Sequence, residues 1–283
     1  MVATIMDGKL IAQSIREEVK TAASVWRERG IVPRLDVILV GTDPASVYYA
    51  KAKERLSKRL DVEFVLHEMP AETSQDEVLQ LVEQLNSEVD VHGIMVELPL
   101  PKHIDRHAVL EAVHPHKDVD GVNPLNRGYL ASGIDGLFPA TPAACIEIIE
   151  RSGLSILGKE AVIVGWGETV GKPLVPMLLK KGATVTTCHS KTRDLAGHTR
   201  QGDIVVVAVG RPGLLKADMV KPGAIIVDVG INATEQGIVG DVDYQSVSQV
   251  AGYITPVPGG VGLVTSVLLF QNLLKGMSMQ ELG

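Results

Sequence analysis

The residues Ala161-Val162-Ile163-Val164 read as a buried strand and run straight into Gly165-Trp166-Gly167-Glu168-Thr169-Val170-Gly171. Few features constrain a fold more. Glycine admits positive φ angles and leaves room for a neighbouring backbone or ligand. A strand, a glycine turn and a helix start together present free N–H groups and the positive end of a helix dipole. That arrangement suits a pyrophosphate and belongs to parallel α/β sheets that bind dinucleotides. The spacing is G-x-G-x-x-x-G, one residue longer than the common form. The signal therefore rests on its strand–turn–helix setting. A tight turn made for packing alone is the competing reading.

The rest of the chain alternates in the same way. Gly8–Arg29 carries apolar residues at helical spacing and ends at Gly30 and Pro33. Leu35–Val40 reads as a strand, and Asp43-Pro44 as a helix start with an Asp cap and Pro in the first turn. Val62–Leu66 is a second strand. Ser74 with Glu77 forms a capping box ahead of a helix reaching Leu85. Gly93–Val96 is a third strand. Later strands are Ala183–Cys188, Asp203–Val209, Ala224–Val229 and Tyr253–Thr255, and a last helix covers Val261–Leu274. The polar stretch Lys117–Gly136, with four glycines and Pro124, reads as a crossing between domains.

These patterns predict an α/β protein of two domains. Its 283 residues suit that number. Residues 1–138 form an N-terminal parallel-sheet domain, to which a C-terminal helix in 265–283 returns. Residues 139–264 form a Rossmann-type dinucleotide-binding domain.

Composition excludes several classes. A net charge of −7 and 4% aromatics argue against a nucleic-acid partner. No apolar run approaches the roughly 18 residues of a membrane span, so no membrane role is expected. The N-terminus lacks a secretory pattern, which predicts a cytoplasmic protein. Cys145 and Cys188 lack metal-ligand spacing and read as reduced thiols. His67, His114 and His116 also lack metal partners at usable spacing, so no metal is expected.

NAD sites usually place a carboxylate at the end of the second strand to hold the ribose hydroxyls. Here that strand ends Cys188-His189-Ser190-Lys191-Thr192-Arg193. Hydroxyls and cations suit a 2′-phosphate instead, favouring NADP, with NAD as the alternative. In the first domain, Tyr49 and Lys53 share one face of a predicted helix. A desolvated lysine can act as a base near neutral pH. Spacing alone favours a surface lysine beside a core tyrosine.

Five segments add a resemblance. They are Val40-Gly41-Thr42-Asp43-Pro44-Ala45-Ser46 with Tyr49 and Lys53; Gly93-Ile94-Met95-Val96-Glu97-Leu98-Pro99-Leu100-Pro101; Lys117-Asp118-Val119-Asp120-Gly121; His189-Ser190-Lys191-Thr192; and Tyr253-Ile254-Thr255-Pro256-Val257-Pro258-Gly259-Gly260-Val261-Gly262. In this order they resemble the bifunctional methylenetetrahydrofolate dehydrogenase/methenyltetrahydrofolate cyclohydrolase family along nearly the whole chain. The resemblance implies oxidation of the folate methylene bridge by a nicotinamide cofactor, then hydrolysis of the methenyl product to formyltetrahydrofolate. That chemistry belongs to one-carbon metabolism, which feeds purine and amino-acid biosynthesis. The resemblance also implies tetrahydrofolate substrates and a homodimer.

Site residues follow from the same resemblance. Lys53 handles protons, Tyr49 lies along the pterin, and Asp120 grips the amino-pyrimidine edge. Glu97 stands beside Lys53. Val96, Leu98, Pro258, Gly259 and Gly260 contact substrate. Gly165, Trp166, Gly167, Gly171, Ser190, Lys191 and Ile231 contact the cofactor. Asp118 is read as holding its turn, and the basic run Lys51, Lys53, Arg55, Lys58 and Arg59 as mainly a solvated helix face.

The chain departs from the family pattern in three places. Glu97 replaces a Gln, and a carboxylate there favours the ammonium form of Lys53, which would weaken ring opening or move it to higher pH. A protonated Glu97 mimicking Gln is the competing possibility. Trp166 and Gly167 stand where the family has Arg or a small residue, then Ser. Leu263-Val264 replaces Pro-Met. The alternatives to the two-activity enzyme are a dehydrogenase-only form, a non-catalytic folate- or nucleotide-binding protein, and a dehydrogenase acting on an amino acid or hydroxy acid.

Overall fold

The computed structural model describes residues 2–235 and 237–280. The chain forms two compact units. The first holds Ile15–Phe138 and the residues from Ser266 on; the second holds the residues up to Ser14 and Pro139–Thr265. β1 (Thr4–Ile5) and α1 (Gly8–Glu28) open the chain.

In the first unit, β2 (Arg34–Val40), α2 (Pro44–Arg59), β3 (Glu63–Met69), α3 (Gln75–Ser87) and β4 (Gly93–Val96) alternate, followed by α4 (Arg106–Ala112) and α5 (Pro124–Ser132). The sheet order is β3-β2-β4, all parallel. β2 is central and continuously apolar apart from Arg34 and Asp36, as a strand covered on both faces should be. Ile38, Val40, Ile94 and Val96 pack with Val78, Val82 and Leu85 of α3 and with Val109 of α4. Burying each such side chain contributes about 1.5–3 kcal/mol.

Asp36 is wholly buried on β2 and accepts hydrogen bonds from Arg34 at 2.8 and 2.9 Å. His67 Nε2 lies 2.7 Å from the same carboxylate. Burial opposes its charge, but these partners outweigh it and hold the carboxyl below its usual range.

The predicted caps are present. Asp43 accepts from Ser46 N at 2.9 Å, and Ser74 and Glu77 form a reciprocal capping box. The other end of α3 is finished by a distant residue. Lys117 Nζ donates to the carbonyls of Leu85, Asn86 and Glu88 at 3.0, 2.7 and 2.8 Å. It thereby satisfies carbonyls that a helix end leaves without partners.

The stretch Lys117–Gly136 is not a plain crossing. It contains α5, capped by Asn123, whose side chain accepts from Leu125 N at 2.8 Å. Pro124 occupies the first turn and Gly133, at φ 73°, ends the helix. The glycine content masked a helix with the same Asx-Pro start as α2.

The second unit runs α6 (Ala140–Arg151), β5 (Glu160–Val164), α7 (Gly171–Lys180), β6 (Thr184–Cys188), α8 (Leu195–Thr199), β7 (Ile204–Val207), β8 (Ile225–Asp228), β9 (Asn232–Thr234), β10 (Gly237–Val239), α9 (Tyr244–Val247), β11 (Tyr253–Ile254) and α10 (Val261–Met279). Its six-stranded sheet has the order β1-β11-β8-β7-β5-β6, with every neighbour parallel. From β5 the chain moves outward to β6, then crosses to β7 on the other side of β5. Strand order therefore reverses at the carboxyl end of β5, which is where ligands bind in such sheets. β9 and β10 form an antiparallel hairpin that the sequence reading did not contain.

Two further expectations are corrected. Residues 1–138 do not form one domain. Thr4 and Ile5 pair with Tyr253 and Ile254 as an edge strand of the second unit's sheet. Ala3 N and Thr4 N also donate to Ser248 O and Gly252 O at 2.7 and 2.8 Å. A two-residue strand is too short to show periodicity, so the partner sheet alone reveals it.

The second correction concerns α10, which is in fact long and apolar enough to meet the length and composition of a membrane span. It is a core helix. Phe270 and Leu273 are fully buried, and Asn272 Nδ2 donates to Val119 O and Phe138 O at 2.9 and 2.8 Å. From Ser266 on, it belongs with the first unit, as the returning helix should.

Candidate active site

In the first unit, α2 and the end of β4 face each other at the carboxyl end of the sheet. Ser46 Oγ donates to Leu98 O at 3.2 Å, tying the start of α2 to the segment after β4. Glu97 N donates to Ile38 O at 2.9 Å, which prolongs β4 by one residue. These two ties set Glu97 opposite the third turn of α2. There Lys53 Nζ lies 2.6 Å from Glu97 Oε1, with the side chains only 14% and 6% exposed.

Tyr49, one turn before Lys53, has its ring centroid 6.0 Å from Lys53 Nζ and is half-exposed. Tyr48 meets the Tyr49 ring edge-on, with centroids 5.7 Å apart. Val96 is buried just before Glu97, and Leu98 follows it, partly covered.

The segment Lys117–Gly121 divides its labour. Lys117 ends α3, as described above. Asp118 is buried and accepts from Val122 N, Asn123 N and Asn126 Nδ2 at 3.2, 2.8 and 2.9 Å. It thus holds its turn and starts α5. Asp120 has no hydrogen-bond partner among the described residues. Solvent reaches part of it, yet protein surrounds it closely, and this desolvation pushes its carboxyl up to about 7. The nearby Asp118 and Glu97 charges push the same way, while Lys53 opposes them. Tyr49, Lys53, Glu97 and Asp120 therefore form one cluster in the first unit.

In the second unit, a cavity of about 620 Å³ opens at the reversal point of the sheet. Its walls come from the ends of β5, β6 and β7: Gly165, Trp166 and Gly167; His189, Ser190, Lys191 and Thr192; and Ala208, Val209 and Arg211, among others. Gly165 sits at φ 129°, and a Cβ there would meet Ala208 O at 2.2 Å. A Cβ on Gly171 would meet Gly165 O at 2.0 Å. Both glycines are required to bring turn, helix and neighbouring strand together.

Gly167 differs, because a Cβ there would meet nothing within 4 Å. Its missing side chain leaves the cavity wall open to close approach by a ligand. Gly171 and Ile231 are not among the residues lining this cavity. Gly171 serves the turn, and Ile231 stands half-exposed after β8.

Trp166 is half-exposed at the cavity wall, with Lys172 Nζ 6.0 Å from its ring centroid and paired to Glu168. Arg211 is a lining residue that the sequence reading missed. Its only signal was its place directly after a parallel strand, where such sheets carry their binding loops.

Pro258, Gly259 and Gly260 also belong to the second unit. Their backbone packs on the start of α1, where a Cβ on Gly8 would meet Gly260 O at 2.2 Å and Gly259 O at 2.7 Å. Gly259 has φ 110°. The loop is a close-packed glycine corner that admits no larger residue.

Comparison with known proteins identifies the family. Residues 6–120 match the catalytic domain of tetrahydrofolate dehydrogenase/cyclohydrolase, and residues 139–281 match its NAD(P)-binding domain. Bifunctional protein FolD 2 of Desulfitobacterium hafniense (strain Y51) is 57% identical over 279 residues, covering 99% of this chain and 98% of that relative. The crystal structure of the bifunctional FolD methylenetetrahydrofolate dehydrogenase/cyclohydrolase from Campylobacter jejuni superposes with a TM-score of 0.96 at 44% identity, covering 98% of this chain and 99% of that one. The Trypanosoma brucei methylenetetrahydrofolate dehydrogenase-cyclohydrolase, solved with NADP and an inhibitor, gives 0.94 at 35% identity with 100% of each chain covered. The chain belongs to the tetrahydrofolate dehydrogenase/cyclohydrolase family.

Proposed function

We propose that this chain oxidises methylenetetrahydrofolate to methenyltetrahydrofolate with NADP and then hydrolyses the product to formyltetrahydrofolate. The observation that carries this reading is the sequestered Lys53–Glu97 pair beside Tyr49 and Asp120. The full-length likeness to two-activity enzymes supports it.

Tyr49 offers an exposed aromatic face on which a flat pterin can lie. Asp120, without a hydrogen-bond partner among the described residues, can accept hydrogen bonds from the amino-pyrimidine edge. Val96 and Leu98 frame Glu97 with apolar surface. When bound, the oxidised nicotinamide supplies the two-electron acceptor for the methylene carbon.

In the hydrolytic step, water adds to the methenyl carbon. Lys53 in its amine form accepts a proton from that water, and the ring C–N bond breaks as its nitrogen gains a proton. One water is consumed and one proton released overall. Glu97 orients the lysine and must yield its hold for the amine to form.

The cavity at the glycine turn fits a dinucleotide, being bounded by an open backbone at Gly167 and by Ser190 and Lys191. The hydroxyl and cation after β6 favour NADP over NAD. The T. brucei relative solved with NADP supports the same choice. We further propose that the two units serve as folate and dinucleotide domains, with Pro258–Gly260 contacting substrate, and that the enzyme works as a homodimer. Its buried free thiols, Cys145 and Cys188, fit a reducing cytoplasm.

Steady-state kinetics with methylenetetrahydrofolate and each of NADP and NAD test the first step. Separate hydrolysis of methenyltetrahydrofolate tests the second. Turnover of an amino acid or hydroxy acid in place of the folate would overturn the reading.

A further inference from the structure

The loop after β7 is fixed by a carboxylate thirty residues away. Asp241 is fully buried. Its side chain accepts from the backbone N–H groups of Val209, Gly210 and Arg211 at 2.6, 2.9 and 2.8 Å, and from Asn232 Nδ2 at 2.9 Å. Three successive N–H groups converging on one carboxylate leave this loop little freedom.

Asp241 is itself held. Its N–H donates to Asp228 Oδ1 at 2.9 Å, and the N–H of Val242 donates to Asp228 Oδ2 at 3.0 Å. The packing around the two acids excludes side chains. A Cβ on Gly230 would meet the Asp241 carboxyl at 2.4 Å, and one on Gly240 would meet that of Asp228 at 1.9 Å.

Of the three residues so held, Val209 and Arg211 face the cavity, and only Arg211 is charged. Arg211 lines it, is exposed, and has no side-chain partner among the described residues. Such a rigidly based, unpaired guanidinium suits a phosphate, to which it can donate in bidentate fashion. Its wall-mates include Lys191 and Ser190, at the end of β6 where a ribose 2′ substituent is read. The glycine turn contributes no cation to the wall, because Trp166 and Gly167 stand there.

We infer that Arg211 determines cofactor specificity by binding the 2′-phosphate of NADP together with Lys191, and that Asp241 is the positioning residue that aims it. The inference deepens the NADP reading and rests on the same cavity.

The test compares Arg211→Gln, Arg211→Lys and Asp241→Asn with wild type in the purified full-length enzyme. The readout is the ratio of kcat/KM for NADP to kcat/KM for NAD. Arg211→Gln is expected to lower this ratio about tenfold, as loss of a charge-assisted contact should. Arg211→Lys should recover part of it, and Asp241→Asn should lower it in the same direction. A fall of less than threefold in Arg211→Gln overturns the inference, as does an equal loss with both cofactors, the mark of an arginine stacking on the adenine. Wild-type preference is read separately: preference for NAD would refute the NADP reading, whereas the ratio shift in the variant reports on Arg211 alone. Should Asp241→Asn not fold, the Arg211 pair still decides the specificity claim. Titration with adenosine 2′,5′-bisphosphate against 5′-AMP provides a second measure, in which Arg211→Gln should weaken only the former.

Discussion

Lys53 Nζ and Glu97 Oε1 stand 2.6 Å apart in a setting that solvent scarcely reaches. A carboxylate this close tethers the lysine, whereas proton transfer needs its nitrogen released to meet water. The pair orders the lysine and restrains it at once. Glu97→Gln keeps the shape and removes the charge. The variant is expected to hydrolyse methenyltetrahydrofolate roughly tenfold faster, because a charged partner no longer holds the lysine. Rates matching wild type would show that the Glu97 charge does not restrain Lys53.

Removing the lysine separates chemistry from stability. Lys53→Met should lower hydrolysis by about 10²–10⁴-fold, the usual contribution of a positioned acid–base group. It should also destabilise the fold by about 3 kcal/mol, because Glu97 is left as a sequestered, unpaired charge. Adding Glu97→Leu should restore most of that stability and none of the activity. Denaturant unfolding of both single variants and the double variant, alongside the hydrolysis assay, checks the two claims independently.

The contrast between α5 and β1 shows what the sequence carried and where it stopped. Strands such as Ala161–Val164 and the caps Asp43 and Ser74 were legible because local propensity and tertiary role coincide there. The helix α5 had an equally local signal, Asn123-Pro124, but glycines at 128, 133 and 136 outweighed it. β1 had none: two residues become a strand only because β11 offers an edge.

The site divides along the same line. Lys53, Tyr49 and Asp120 were reached through motif resemblance, since spacing alone favoured a surface lysine. Arg211 and Asp241 lay outside those motifs. Their link is a contact across thirty residues that periodicity does not encode.

The buried lysine of the Lys117–Gly121 segment is structural, and its loss should read as such. Lys117→Met would leave the carbonyls of Leu85, Asn86 and Glu88 without their donor. Unsatisfied buried groups cost about 1–3 kcal/mol each, and some will find water, so a loss of roughly 3 kcal/mol is expected. Amide exchange should accelerate first in the last turn of α3. Unchanged protection there would remove the capping role.

Asp120 gives a pH signature with a definite sign. Its folded-state value is about 7 against an ordinary 3.8. Below about 4 the carboxyl is neutral folded or unfolded, and it contributes nothing to the difference. Between about 4 and 7 the folded protein keeps a proton that the unfolded chain gives up, so stability falls as pH rises through that window. Asp120→Asn lacks this loss. The melting temperature of the variant minus that of wild type should therefore be more positive at pH 8 than at pH 4. Substrate binding should run the other way, because the amino-pyrimidine edge needs an acceptor. KM for methylenetetrahydrofolate in wild type should fall as pH rises through about 7, and Asp120→Asn should lose that dependence. A variant that keeps the wild-type KM profile would assign the titration to another group and take Asp120 out of the pterin site.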